Sequence, residues 1–219
     1  MKAERRRTEM IAVIDYGMGN LRSVWQALVH VAGEREVVVT ADPAVVARAG
    51  RVVFPGQGAM PDCMRELDAR GLRPAVLDAA KNRPFLGICI GLQMLFEYSE
   101  EGDVPGLGVF AGRVRRFPAE RMTTPEGVRL KVPHMGWNRV AQERPHPLWN
   151  GIDDGARFYF VHSYYVDPED PACIASVTCH GLPFTSAVAQ DNIFAMQSHP
   201  EKSARAGLAL LSNFVEWTP

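Results

Sequence analysis

Hydrophobic positions along this chain switch repeatedly between two rhythms. Short apolar runs at Met10–Ile14, Glu36–Thr40 (EVVVT), Arg51–Phe54 (RVVF) and Phe85–Ile88 have the length and composition of buried strands. Between them apolar residues recur at helical spacing. Leu21, Val24, Leu28 and Val31 do so until Gly33, with His30 inside the pattern, and Asp42-Pro43 opens a short helix with cap chemistry. Two further helical stretches fall near Asp62–Ala69 and Pro74–Ala80, and Leu92–Tyr98 reads as another after the fourth strand. Repeated strand-then-helix order predicts an α/β fold, an open, mostly parallel doubly wound sheet joined by right-handed crossovers.

From Gly106 to about Val188 the character changes. Gly and Pro punctuate short β-rich pieces, GLGVFAGRVRRF, VRLKVPHMGW, RFYFVHSYYV, CIASVTC and FTSAVAQ, which predict antiparallel strands and hairpins added to the sheet. A last strand, IFAMQSH, leads into an amphipathic helix carrying Leu208, Leu211 and Val215. With no repeat, low-complexity tract or linker, residues 10–219 read as one domain and residues 1–9 as a disordered N-terminal extension.

Composition narrows the function classes. Across 219 residues, 24 Lys and Arg face 25 Asp and Glu, a formal charge of −1, which argues against a nucleic-acid surface. Hydrophobic residues at 47% and charged residues at 22% exclude the disordered and fibrous classes. No apolar run approaches the ~20 residues of a membrane helix. The basic start, MKAERRRTEM, is followed by IAVIDYG, where Asp15 interrupts the apolar stretch before a secretory signal could form. Cys63, Cys89, Cys173 and Cys179 are too sparse for a disulfide scaffold. The expected compartment is a reducing cytoplasm, where each thiol becomes a question about chemistry.

The sharpest local signal is Gly87-Ile88-Cys89-Ile90-Gly91, set where a strand ends and a helix begins. A G-x-nucleophile-x-G turn needs glycines where the chain doubles back, and it lifts the central side chain to the C-terminal edge of the sheet. A helix N-terminus beneath Cys89 favours thiolate over thiol, and the Ile90 N–H would point where an oxyanion forms. The same five residues also suit a buried structural cysteine between packing glycines. Cys63, Cys173 and Cys179 read as core filling, because no second Cys/His pair at zinc-like spacing accompanies Cys179-His180.

A thiolate nucleophile needs a base and a group to orient it. His146 and His180 lie in turn-like contexts, while His134, His162 and His199 fall near strand ends. Only His199 is followed two residues later by an acid, Glu201. In an extended segment those two side chains share one side, and Pro200 stiffens the spacer. A surface turn is the competing reading of His-Pro-Glu alone.

Together PGQGAM at 55–60, GICIGLQMLFE at 87–97 and QSHPEKS at 197–203 resemble the class I (triad-type) glutamine amidotransferases. Within that group DYGMGN at 15–20, SEEG at 99–102, PHMGWN at 133–138 and FVHSYY at 160–165 resemble the glutaminase subunits of imidazole glycerol phosphate synthases, of histidine biosynthesis. The resemblance covers everything after the first nine residues and implies the class I amidotransferase fold. It implies Cys89, His199 and Glu201 as catalytic triad, and backbone N–H groups at Gly56, Gln57 and Ile90 as oxyanion hole. Gln93, Glu101, Tyr159, Ser163 and Tyr164 match glutamine contacts; Lys202, Trp137 and Asn138 match positions facing a partner. Gln57 departs from the family, whose members often carry Val there, but the loop's work is assigned to its backbone. The resemblance further implies that this loop reorganises before both donors point inward.

The implied partner is a (β/α)₈-barrel cyclase forming a heterodimer and consuming ammonia, with no metal or cofactor on this chain. Consistent with an acceptor site elsewhere, there is no GxxxxGK[ST] loop, and Gly17-Met18-Gly19 lacks the third glycine of a dinucleotide fingerprint. Two alternatives stay open: a glutaminase subunit serving pyridoxal phosphate, anthranilate or aminobenzoate synthesis, and a non-catalytic binding module on the same fold.

Overall fold

A computed structural model describes residues 10–124 and 126–219, the side chain of Arg121 excepted. The first half alternates β1 (Ile11–Ile14), α1 (Leu21–Val31), β2 (Val37–Thr40), α2 (Pro43–Arg48), β3 (Arg51–Phe54), α3 (Met60–Ala69), α4 (Arg73–Asn82) and β4 (Phe85–Ile88). A single helical turn, α5 (Ile90–Gln93), precedes β5 (Phe96–Ser99), β6 (Val104–Pro105) and β7 (Phe110–Arg116). There follow β8 (His134–Arg139), β9 (Ala141–Gln142), β10 (Arg157–His162) and β11 (Tyr164–Pro168). The chain closes with β12 (Ile174–His180), β13 (Leu182–Gln190), β14 (Ile193–Met196) and α6 (Ala204–Glu216).

The main sheet runs β2-β1-β3-β4-β14-β13-β11-β7-β5-β6, with β12 paired to β13 and β9. Its first five strands are mutually parallel. Beyond β14 the pairs with β13, β11 and β7 are antiparallel, and β5 returns parallel to β7.

Strand side chains alternate between two cores, which is why the first-half strands read as continuous apolar runs. Ile11, Val13, Leu86, Ile88 and Phe194 enter one core, closed by Val24 and Leu28 of α1 and by Leu211, Phe214 and Val215 of α6. Ala12, Ile14, Val52, Phe54 and Phe85 enter the other, closed by Val46 of α2, Met64 and Leu67 of α3, and Val76 of α4. Each fully buried large apolar side chain contributes about 1.5–3 kcal/mol of transfer free energy. Helices on both faces make the sheet doubly wound, as expected.

Several expectations need correction. Leu92–Tyr98 is not a helix: after one turn the chain straightens into β5, whose Phe96 is buried against Phe110 of β7. VRLKVPHMGW and most of RFYFVHSYYV do not join the main sheet, since β8 and β10 pair only with each other as a ribbon. His30 is exposed, and so is Cys179, whereas Cys63 and Cys173 do fill core. The extension at residues 1–9 lies outside the described residues.

What positions the site is the sheet order. Because β3, β4 and β14 are adjacent and parallel, their C-terminal ends place Pro55–Gly58, Cys89 and Gln197–His199 side by side. Ligands of open α/β sheets bind at this edge.

Candidate active site

Cys89 sits at φ 56° and ψ −114°, a backbone conformation that side chains rarely tolerate. Two contacts impose it. Its N–H donates to the Met196 carbonyl at 2.8 Å, extending the β4–β14 ladder to the very end of the strand. Two residues on, a Cβ on Gly91 would lie 1.9 Å from the Phe54 carbonyl oxygen, so only glycine lets α5 pack this close to β3. The elbow therefore forms, but over a helix of one turn, which makes its dipole a small contribution.

The base candidate is built from the neighbouring strand. His199 N–H donates to the Tyr159 carbonyl at 2.9 Å, and Ser203 Oγ donates to the His199 carbonyl at 2.5 Å. His199 is extended, with φ −102° and ψ 95°, and the following Pro200–Lys202 forms one 3-10 turn. This brings Glu201 Oε1 to 2.8 Å from His199 Nδ1, with the two side chains 2% and 1% exposed. A carboxylate accepts, so Nδ1 carries the proton and Nε2 is the free end, with no hydrogen-bond partner among the described residues. Burial pulls the imidazole pKa down, but the neighbouring Cys89 and Glu201, with the hydrogen bond from Nδ1 to Glu201, outweigh it and bring it up to about 10. Burial pushes the Cys63 thiol up to about 11 and Cys173 upward as well, which leaves both protonated and inert.

Cys89 and His199 open into one cleft of about 440 Å³. Gln57, Ile90, Gln93, Glu101, Ser163, Tyr164 and Lys202 also line it. The N–H groups of Gln57 and Ile90 have no acceptor among the described residues. Gly56 lies just behind, in a small cavity shared with His199 and Glu201. Its missing side chain matters, because a Cβ there would stand 1.7 Å from Tyr16 Oη and 2.3 Å from Ile90 Cγ2. Glu101 accepts from the Met60 N–H at 2.9 Å, tying the cleft to the start of α3.

Not every expected contact is brought in. Tyr159 does not line the cleft; it packs edge-on against Trp137 at 6.1 Å on the β8–β10 ribbon. Trp137 is 44% exposed, whereas Asn138 is half-buried on that ribbon. Sequence reasoning missed Gln197, whose Nε2 donates to Cys89 Sγ at 3.7 Å, and the cleft residues Gly58, Pro133, Val161 and His162. A lone glutamine closing an otherwise apolar strand, IFAMQ, was the available signal.

A strained cysteine, a carboxylate-backed histidine and unpaired N–H groups around one cleft have the parts of a cysteine acyl-transfer site. The chain belongs to the class-I glutamine amidotransferase family, whose model matches residues 12–217. More specifically, it is 72% identical over 211 residues to the imidazole glycerol phosphate synthase subunit HisH of Dechloromonas aromatica strain RCB, covering 96% of this chain and 98% of that one. The subunit of the same name from Aromatoleum aromaticum is 66% identical over 209 residues, 95% of this chain and 99% of its own length. Among solved structures, PurLQS from Thermotoga maritima matches 94% of this chain and 97% of its own at a TM-score of 0.69, and at 17% identity that likeness speaks for the fold alone.

Proposed function

We infer that this chain is the glutaminase subunit of an imidazole glycerol phosphate synthase, hydrolysing L-glutamine and supplying ammonia to a cyclase subunit. The observation that carries the chemistry is that adjacent strand ends bring Cys89 and the His199–Glu201 pair into one cleft. Cys89 thiolate attacks the glutamine side-chain amide carbon, and the negative oxygen is held by the N–H groups of Ile90 and Gln57. One such donor is worth about 3–4 kcal/mol of barrier. His199, protonated on Nε2, gives that proton to the departing nitrogen, so ammonia leaves and a γ-glutamyl thioester remains. The neutral imidazole then takes a proton from water, hydroxide adds to the thioester, and thiolate departs as glutamate is released.

Gln93, Glu101, Ser163 and Tyr164 line the substrate's cleft, and Tyr159 is assigned instead to the partner-facing ribbon with Trp137 and Asn138. The partner is proposed to be a (β/α)₈-barrel protein forming a heterodimer with this chain over that ribbon and Lys202. We place the pair in the cytoplasm; the four free cysteines support a reducing compartment, and no helix among the described residues is long and apolar enough to cross a membrane.

Rapid acid quench of the complex turning over glutamine, followed by mass spectrometry of the peptide holding Cys89, tests the covalent step. A glutamyl adduct on Cys89 is expected. Glutamate release that continues with no adduct on Cys89 at any quench time would remove Cys89 as nucleophile.

A further inference from the structure

Two buried histidines are given no work by the mechanism: His162, in the wall of the cleft, and His134 behind it, 6% and 4% exposed. Their hydrogen bonds can be oriented from an end that admits one answer. His162 Nδ1 lies 2.8 Å from the Tyr164 carbonyl oxygen, which can only accept, so Nδ1 carries a proton. Burial pulls this imidazole down to about 3, so it is neutral and its Nε2 must accept. His134 Nδ1 stands 2.9 Å from that Nε2 and is therefore an N–H donor. His134, drawn down to about 4 by burial and by His180, is neutral too, and its Nε2 accepts from Asn138 Nδ2 at 3.1 Å. The Asn138 amide is itself fixed, since its Oδ1 accepts from Arg139 N–H and its Nδ2 also donates to the Cys179 carbonyl, both at 2.8 Å.

The chain continues on the other side of Tyr164. Gln93 Nε2 donates to the same carbonyl at 3.1 Å and to Gln197 Oε1 at 2.9 Å. With both amide hydrogens committed to carbonyl oxygens, Gln93 presents only its acceptor oxygen to the cleft it lines. Gln197, fully buried, accepts at its oxygen and so must turn its N–H toward Cys89 Sγ. Aromatic rings hold the histidines in plane: Phe160 and His180 stack on His134 at 4.9 and 4.1 Å, and Phe117 and Phe184 flank His162 at 5.2 and 5.1 Å.

We propose that Asn138, His134, His162, Gln93 and Gln197 form one directed hydrogen-bond relay from the exposed β8–β10 ribbon to Cys89. The two histidines act as positioning residues. They fix the Tyr164 carbonyl, which orients the Gln93 amide with its oxygen toward the ammonium of glutamine and the Gln197 amide with its N–H toward the nucleophile. The relay rests on the glutaminase reading for what it serves, though its protonation pattern does not. The titratable groups facing the pair are His180 and His199.

Two measurements test it. Nitrogen-15 NMR of the imidazoles in the wild-type chain should show both His134 and His162 as neutral Nδ1–H tautomers that stay unprotonated down to pH 5. An Nε2–H tautomer at either residue overturns the relay. The second measurement is the KM for glutamine with the cyclase subunit at saturation. His162→Asn keeps a donor near the Nδ1 position for Tyr164 but removes the acceptor for His134, whereas His162→Gln does the reverse. The relay predicts that His162→Asn, which keeps the Tyr164 donor, raises KM only as far as Asn138→Ala does, and that His162→Gln raises it further, about 3- to 10-fold. It also predicts that Asn138→Ala raises KM in the wild-type background and not in His162→Asn. Equal effects of Asn138→Ala in both backgrounds would show that nothing passes through the histidines. If wild type released no glutamate the functional reading would fail, while the tautomers, read without turnover, would still decide the relay.

Discussion

At the scale of single residues, the proposed chemistry rests on a cysteine whose backbone is held in an unfavourable conformation by its neighbours, beside an imidazole kept charged. In the proposed mechanism Glu201 acts through His199, selecting its Nδ1–H tautomer by the 2.8 Å contact and supporting the imidazolium. Glu201→Gln is therefore expected to lower kcat about 10³- to 10⁴-fold with little change in KM, by steady-state glutamate release. The same pair sets a pH dependence of stability. His199 is held at about 10 when folded, above its ordinary unfolded value of ~6.5. Its charged form thus stabilises the fold fully below about pH 6.5, and that contribution is lost as pH rises toward about 10. The stability advantage of wild type over Glu201→Gln, from urea unfolding, should narrow between pH 7 and pH 10. A constant gap would mean that His199 is not charged in the folded protein.

At the scale of elements, close approach of backbones decides whether the site exists. Gly91→Ala would drive a Cβ to 1.9 Å from a main-chain oxygen of β3, which no side-chain movement can relieve. A loss of at least about 2 kcal/mol, or failure to fold, is expected in urea unfolding, and wild-type stability would mean that α5 packs otherwise. This elbow was legible from Gly87-Ile88-Cys89-Ile90-Gly91 because glycine spacing reports steric need directly. So were the strands of the first half, since strands buried on both faces leave unbroken apolar runs, although their order in the sheet was not. Leu92–Tyr98 was misread for a related reason: α5 and β5 are short and largely buried, so periodicity carries no information to separate them. The β8–β10 ribbon was missed because pairing partners depend on the whole sheet. Residues 134–139 and 157–162 each have strand composition, but nothing local says that they avoid β11 and β13. Tyr159 shows the same limit inside the site: it shares a face of β10 with Val161, which lines the cleft, but its ring packs against Trp137 instead, a pairing set by the β8–β10 register.

At the scale of the whole molecule, the cleft and the ribbon lie close enough for one partner to touch both. Trp137 is 44% exposed beside Met135 at 63%, the ribbon's exposed large apolar side chains, while Phe158 and Phe160 are buried. Trp137→Ala should weaken cyclase binding about tenfold or more, by calorimetry, while leaving the thermal midpoint of the isolated chain within a degree or two. Unchanged affinity would move the interface off this face. Ammonia released into water would be protonated and lose its nucleophilicity, so a glutaminase that serves a second active site gains from being sealed by its partner.

The most direct test is glutamate release by the assembled complex, wild type against Cys89→Ala, with cyclase ligand present. Removal of the sulfur should abolish turnover, by a factor of about 10⁴ or more, in a protein that still folds and still binds its partner. Comparable rates in the two complexes would contradict the assignment of Cys89 and, with it, the mechanism built on the strand ends of β4 and β14.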